Sequence, residues 1–582
     1  MSNYSNSTFY FSPSGYSENN IQAQNPNSSI GALTFSRAST ATRTDINNNV
    51  REVPFNLISN GIASPSFYAT QTNITSFSAN TTPQPIGISS GVYKLIPNAT
   101  SGQHNAFGSV AFINPEQFTY SLFVQASGYN YVSLGIDTGL VGSTIIFSLT
   151  DGTFTGSESG ITPFISNVGN GWYRIGFTNT NVLSATTNVY VIVRNNATTG
   201  NYSGDTTSGI LLCAPQIVFG NLPQQYFSTG NRLNVPRIDY SQGIGALLLE
   251  PQRTNSIINS TMQGANVGTN SLPTGWGQAL NGVTRTVVAL GVENGMNYID
   301  IRFNGTPTNG FGQIDLNGFI SASQTQKWTE SAYLKIISAP LPPISYSLQV
   351  NEFLNSTYIS GNGASISLTS TLTRFNYTYT VVNATANNII PYFAYAVTTG
   401  NTYDFTIRIA ACQLELGAYS TTFIPTTNAS ATRIVDNISK SNLYTNNLIS
   451  ASGGTWFMDL SGNLSLTGDA SGDAICIGDT NNTGGNNFRL YNPPSLSRME
   501  IRKTIASVST VLYTTTTNNV KMAIKWNGST ADVFVNGIKV VSATAFTTTA
   551  MEFLFTNITA ISKFIQQMAL YNTPLTDAQC IS

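Results

Sequence analysis

Charge is what this sequence has least of. Asp, Glu, Lys and Arg make up only 9% of its 582 residues, and the net charge at neutral pH is −1. Binding to a phosphate backbone needs clustered cations. No Lys/Arg-rich run occurs, so nucleic acid is not an expected partner. Long apolar runs are missing as well. No stretch approaches the roughly 18–20 residues that a membrane helix needs, so insertion into a membrane is not expected. The four cysteines, Cys213, Cys412, Cys476 and Cys580, form no C-x-x-C pair, and the sole histidine is His104. That excludes an ordinary zinc site. Four cysteines spread over such a chain are not a disulfide scaffold either. They are expected to be buried as small hydrophobes, in a protein made in a reducing cytosol. The opening residues, polar and without a basic or apolar signal region, fit the same expectation.

Catalytic signatures are equally thin. No phosphate loop of the G-x-x-x-x-G-K type occurs. None of the glutamates is followed two residues later by Asp, the pairing that concanavalin-type glucanases use for acid and nucleophile. A Ser–His–Asp arrangement would have to use His104, and in SGQHNAFG this residue is expected in an exposed polar turn. An enzyme is therefore not expected.

What is present favours strands and turns. The chain has 49 Gly, 27 Tyr and 31 Phe residues, with abundant Asn, Ser and Thr. Heptads are few, so no long coiled-coil stalk is encoded. β-branched or aromatic runs at 118–126, 129–136, 143–149, 171–179 and 187–195, separated by Gly/Asn/Ser/Thr clusters, predict a sandwich. An internal repeat follows. Residues 210–229 align without gaps on 407–426, so that Gln216 meets Gln413 and Gly220 meets Gly417. Arg174 in GWYRIGF matches Arg374 in LTRFNYTY, and Phe118-Thr119 matches Trp328-Thr329. Two copies of one β-domain are predicted. After residues 424–437, polar and small residues read as a linker to a third unit, which carries strand runs and two Asn-Gly pairs, Asn527-Gly528 and Asn536-Gly537, both strong hairpin signals.

The scarce charge gathers in two places. Residues 31–53 hold Arg37, Arg43, Asp45, Arg51 and Glu52, and residues 231–255 hold Arg232, Arg237, Asp239, Glu250 and Arg253. Beside apolar runs such as Leu247-Leu248-Leu249, these groups are expected to pair with one another. The prediction is a structural hub in which Arg37, Arg43, Arg237, Asp239, Glu250 and Arg253 meet across the intervening domain.

The strings FSRASTATR, VPRIDY and LLLEPQRTN in these segments resemble a signature of tailed-bacteriophage virion proteins, described as tail fibres, head fibres or spikes. The ending QLELGAYSTTFIPT resembles that of carbohydrate-binding-module-like jelly rolls, and the last 130 or so residues resemble a laminin-G-like, concanavalin-type jelly roll. Together the residues and the resemblance give an all-β chain of tandem jelly-roll/β-sandwich domains with a C-terminal concanavalin A-like domain. The expected boundaries are 1–52 for an N-terminal attachment arm and first hub segment, 53–230 for the first sandwich as an insertion, and 231–253 for the second hub segment. The second sandwich then covers 254–428 and the last domain 429–582.

The resemblance implies a virion-surface fibre or spike that adheres to host-cell glycans. It also implies a homotrimer, with the aromatic arm FYFSPSGY docking on other virion proteins. A capsid decoration without a receptor and a polysaccharide depolymerase are the alternatives. Candidate glycan contacts in the last domain are Trp456, Trp526, Arg489 and Tyr491. No cofactor is required, although Asp469, Asp473 and Asp479 could hold calcium through loop carboxylates.

Overall fold

The computed structural model describes residues 6–581 apart from 14, 18–19, 27, 54–55, 58–66, 86–90, 113–117, 137–143, 180–184, 199, 220–231, 280, 451, 461–471, 494–497, 518, 548–549 and 556–562. Among the described residues almost all regular structure is strand, and the one α-helix is the short Asp577–Ile581 segment. No helix there is long and apolar enough to cross a membrane.

The chain forms two compact units, Asn56–Leu233 and the remainder, Met1–Phe55 with Asn234–Ser582. The first is an insertion whose two ends pair, Asn56–Leu57 running antiparallel to Arg232–Leu233. Adjacent ends are what allow a domain to be inserted into another without distorting it.

The inserted unit is a sandwich of two six-stranded antiparallel sheets. Its core is filled by Tyr120, Leu122, Val124, Ile175, Phe177, Val191 and their neighbours. The second sandwich, within the other unit, repeats its plan. In the inserted unit Phe118–Ser127 lies between Trp172–Asn179 and Gly209–Phe219; in the second sandwich Lys327–Ser338 lies between Thr373–Thr380 and Tyr403–Leu416. The details agree as well. Ser121 faces Gln216 and Ser331 faces Gln413, and each serine is followed by a register shift. Ala214 and Ala411, both with positive φ (50° and 48°), mark the same bulge in the partner strand. Arg174 donates from Nη2 to Ser121 Oγ at 3.1 Å, and Arg374 to Ser331 Oγ at 2.9 Å.

The third sandwich is assembled from both ends of the chain. Its six-stranded sheet starts with Phe9–Phe11, which pairs with Gln567–Tyr571, and continues through Gly454–Leu460, Val520–Trp526, Thr530–Val535 and Ile538–Ala545. The facing nine-stranded sheet takes Gly15–Ser17, Asn20–Gln22 and Ala32–Ser36 from the start of the chain. Alternation explains the docking: Phe9 and Phe11 point to one side of their strand, and both are fully buried in a core with Trp456, Met458 and Met568. Phe9 and Phe11 of the aromatic arm are thus part of this core. The hairpin between Thr530–Val535 and Ile538–Ala545 turns at Asn536 and Gly537, both with positive φ, as a two-residue turn requires.

Candidate functional site

One sheet of the second sandwich carries a concave polar face. Gly363, Gln349, Tyr392, Asp315 and Gly277 are successive cross-strand partners on five neighbouring strands, Thr357–Ile366, Ser345–Leu354, Asn388–Ala396, Phe311–Asp315 and Gly277–Ala279. In the same way Gly361 faces Asn351. Strand alternation sends Tyr346, Leu348 and Val350 into the core and leaves Gln349 and Asn351 on the outside.

The glycines make the hollow. A Cβ on Gly361 would fall on the Asn351 side chain, and one on Gly363 would meet the Gln349 side chain at 2.4 Å. The result is a cleft of about 520 Å³, floored by Tyr392, Gln313, Gln349 and Asn351. Two aromatic rings stand proud on it, Phe311 at 40% and Tyr358 at 58% exposure. Such a combination of exposed aromatic faces with amides that can both donate and accept suits a ligand with apolar faces and many hydroxyls. Burial and the nearby Asp315 carboxyl hold the Tyr392 phenol well above its usual range, and the Gln313 and Asn351 side chains hydrogen-bond to it.

The corresponding face of the inserted unit is filled. Phe107 and Tyr190 pack with ring centroids 4.7 Å apart. Phe67 lies against Gly108, where a Cβ would come within 2.4 Å of the Phe67 carbonyl oxygen. Arg194, buried, donates from Nε to Ser133 Oγ at 3.1 Å.

The charged segments do meet, within the larger unit. Arg237 pairs with Glu250 at 2.6 Å and with Asp436, Arg433 pairs with Glu250 at 2.9 Å, and Arg37 approaches Asp436 at 3.6 Å. All five side chains are at most 3% exposed. Thr422 donates to Glu250 from both its amide and its hydroxyl. Burial alone would raise the Glu250 carboxyl, but the Arg433 and Arg237 guanidiniums beside it bring it down to about 2. Burial lowers Arg37 to about 10 against the pull of Asp436. Arg43 and Asp239 bind backbone instead: Arg43 Nη1 donates to the Ile238 carbonyl at 2.8 Å, and the Thr44 amide donates to Asp239 Oδ2 at 2.6 Å. Arg253 sits over the Tyr419 ring at 5.2 Å. Arg433 and Asp436 lie outside the two charge clusters of the sequence; both are fully buried.

The last domain's expected glycan contacts divide. Trp456 and Trp526 are 0% and 1% exposed, so neither presents a ring face to a sugar. Their strands place them inward, opposite Ile524 and Ala531. Arg489 and Tyr491 lie on the outer side of Asn487–Asn492, but Tyr491 is covered by the Arg502 guanidinium, 3.8 Å from its centroid, and Arg489 donates to Ser509 Oγ at 2.8 Å. Of the three aspartates, Asp469 lies outside the described residues, Asp473 is on strand Gly472–Gly478, and Asp479 accepts from Asn486 Nδ2 at 3.1 Å. Among the described residues no group of three or more His, Cys, Asp or Glu side chains converges. His104, expected in an exposed turn, is fully buried at the start of His104–Phe112. Its ring nitrogens lie 2.6 Å from the Asn73 carbonyl oxygen and 2.8 Å from that of Tyr202.

The fold and the cleft define a multi-sandwich β protein with an open polar sheet face on its second sandwich. Neither a protein-family model nor a curated protein matches the sequence. Among solved structures, the chain is similar to the N-terminal CBM22-1–CBM22-2 tandem domain from Paenibacillus barcinonensis Xyn10C, at 9% identity over 62% of this chain and 96% of that one, with a TM-score of 0.21. It is also similar to the tripod (BppUct-A-L) from the baseplate of bacteriophage Tuc2009, at 15% identity over 47% and 97% of the two chains, TM-score 0.19. Trypanosoma rangeli sialidase in complex with the inhibitor DANA gives 9% identity over 94% and 98%, TM-score 0.19. At these scores the likenesses extend no further than β-sheet architecture.

Proposed function

We propose that this protein is a bacteriophage virion-surface fibre or spike component that adheres to host-cell glycans through the cleft of its second sandwich. The observation that carries the adhesive role is the cleft itself, with its exposed Phe311 and Tyr358 and its floor of Gln313, Gln349 and Asn351. The virion assignment is supported by the FSRASTATR, VPRIDY and LLLEPQRTN strings, and the same resemblance supports a homotrimer. Binding rather than hydrolysis is favoured by the carboxylates. Glycoside cleavage needs two flanking one cleft; here Asp315 adjoins it, whereas Glu352 is turned away to accept from Tyr379 Oη and the Val382 amide, each at 2.6 Å.

The test is binding of the full chain to host cells and to their extracted surface polysaccharide. Tyr358→Ala and Asn351→Ala should each weaken binding by about tenfold, a loss of about 1.4 kcal/mol. Arg489→Ala in the last domain should leave it unchanged. If the wild-type chain binds neither cells nor polysaccharide, a structural virion role without a receptor becomes the better reading. Release of reducing sugar would mark a depolymerase.

A further inference from the structure

The cleft is polar without being cationic. Its amides, Gln313, Gln349 and Asn351, each offer both a donor and an acceptor, the pattern that a neutral sugar hydroxyl satisfies in either direction. None of the residues lining it is Lys or Arg, the side chains that recognise carboxylate or phosphate groups through charge-assisted bonds. Asp315, which adjoins the cleft beside Gln313 without lining it, has the opposite sign. Asp315 stands directly across from Tyr392, the floor residue, and its Oδ1 accepts from Gln313 Nε2 at 2.9 Å. Gly277 clears the space on its far side, where a Cβ would lie 2.7 Å from Asp315 Oδ2.

The cation nearest in effect, Arg285, offsets the Asp315 charge in part but does not line the cleft. It is 1% exposed and donates from Nη2 to the hydroxyl of Tyr395, a core residue on the other side of the sheet. Burial raises the Asp315 carboxyl, with the Gln313 hydrogen bond and Arg285 acting the other way.

We infer that the cleft selects uncharged glycan chains and rejects anionic ones, and that Asp315 is the residue that sets this specificity. The inference rests on the reading of the cleft as a glycan site. Its physical basis is repulsion. A uronate or sialate carboxylate brought into the cleft at a pH where Asp315 is ionised comes near a like charge and finds no Lys or Arg among the lining residues to pair with, and discrimination by such an unfavourable contact is how binding sites exclude close analogues. The amides meanwhile bind both classes of chain alike, so without Asp315 the preference has no source.

The full-length wild-type protein and the isosteric Asp315→Asn variant would be compared at pH 8 and physiological salt. The probes are immobilised neutral polymers (dextran, mannan, xylan) and anionic ones (polygalacturonate, polysialic acid), with thermal melting to verify that the variant is folded. The expected result is that the wild type binds at least one neutral polymer and binds the anionic ones at least tenfold more weakly. Asp315→Asn should narrow that gap by about tenfold. Equal wild-type affinity for both classes overturns the inference and leaves the glycan reading standing. An undiminished gap in Asp315→Asn removes Asp315 as its cause. Binding to neither class overturns the glycan reading itself, and this inference with it.

Discussion

Two glutamates of the same compact unit, Glu250 in the hub and Glu330 in the second sandwich, are 2% and 0% exposed. Their surroundings differ in one respect. Glu250 is held by two arginines and by Thr422. Glu330 lies in the strand Lys327–Ser338 between Tyr377 and Leu414, on the side that sends Trp328, Ala332 and Leu334 into the core, and among the described residues no side chain hydrogen-bonds either of its oxygens, the backbone N–H of Gln349 alone lying near. Burial pushes both carboxyls upward. At Glu250 the guanidiniums reverse this and carry it to about 2, whereas at Glu330 burial prevails and the carboxyl lies well above its usual range, little offset by the Gln349 amide. Burial alone therefore does not decide whether an acid is charged; the partner that shares its burial does.

The strongest way to break this comparison is to remove the partner. Arg237→Ala leaves Glu250 with Arg433 alone and takes from Asp436 its direct ion pair, and breaking a buried pair costs about 3–5 kcal/mol. Chemical denaturation should show a loss of that size. A loss below about 1 kcal/mol would mean that the hub is solvated and that its arginines are replaceable by water.

The next effect is a matter of sign. The folded value of Glu250 lies below its unfolded value, so its contribution to stability is present above about pH 4.5 and is lost as the pH falls towards about 2. The folded value of Glu330 lies above its unfolded value, so its contribution is fully present below about pH 4.5 and is lost as the pH rises. Glu330→Gln should therefore raise stability at pH 8 by about 1–3 kcal/mol and flatten the pH dependence above pH 5, while leaving the acid side, governed by Glu250 and its like, as it was. Melting curves across pH 3–9 would show this. An unchanged slope above pH 5 would mean that Glu330 finds a partner in solution.

The sequence showed the β class and the repeat, because both are written in local pattern: aromatic and β-branched runs, and paired residues such as Gln216 and Gln413 that occupy the same register in both sandwiches. The hub was legible in Arg37, Arg237 and Glu250 because charge is so rare that its clustering stands out. Arg433 and Asp436 were not, since two charges among small polar residues form no cluster until the fold brings them beside Arg237. The cleft was hidden for a related reason. Its residues come from separate strands and meet only through cross-strand register, which no linear spacing reveals. Its one local trace is the outward alternation of Gln349 and Asn351 beside the Gly361-Asn362-Gly363 run. Trp456 and Trp526 carried two readings, glycan contact and core, and the strand patterns around them favoured the core, where both lie.

The finest comparison sets Glu330 against its counterpart in the inserted unit. Tyr120 precedes Ser121 as Glu330 precedes Ser331, and each of these serines faces the matching glutamine of the partner strand. There the polar atom is satisfied: the Tyr120 hydroxyl shares a hydrogen bond with the Tyr68 hydroxyl, both rings being fully buried. Tyr120→Phe strands the Tyr68 hydroxyl and should cost about 1–2 kcal/mol. The effect should be the same from pH 5 to pH 8, because burial holds both phenols far above that range. Adding Tyr68→Phe removes the stranded group, so the double variant should be no less stable than the single one, a coupling that a double-mutant cycle reads directly. Strictly additive losses would show that the two hydroxyls do not depend on each other. The two sandwiches would then handle the polar residue at this position alike, and not, as their cores indicate, one by pairing it and the other by burying it without a side-chain partner.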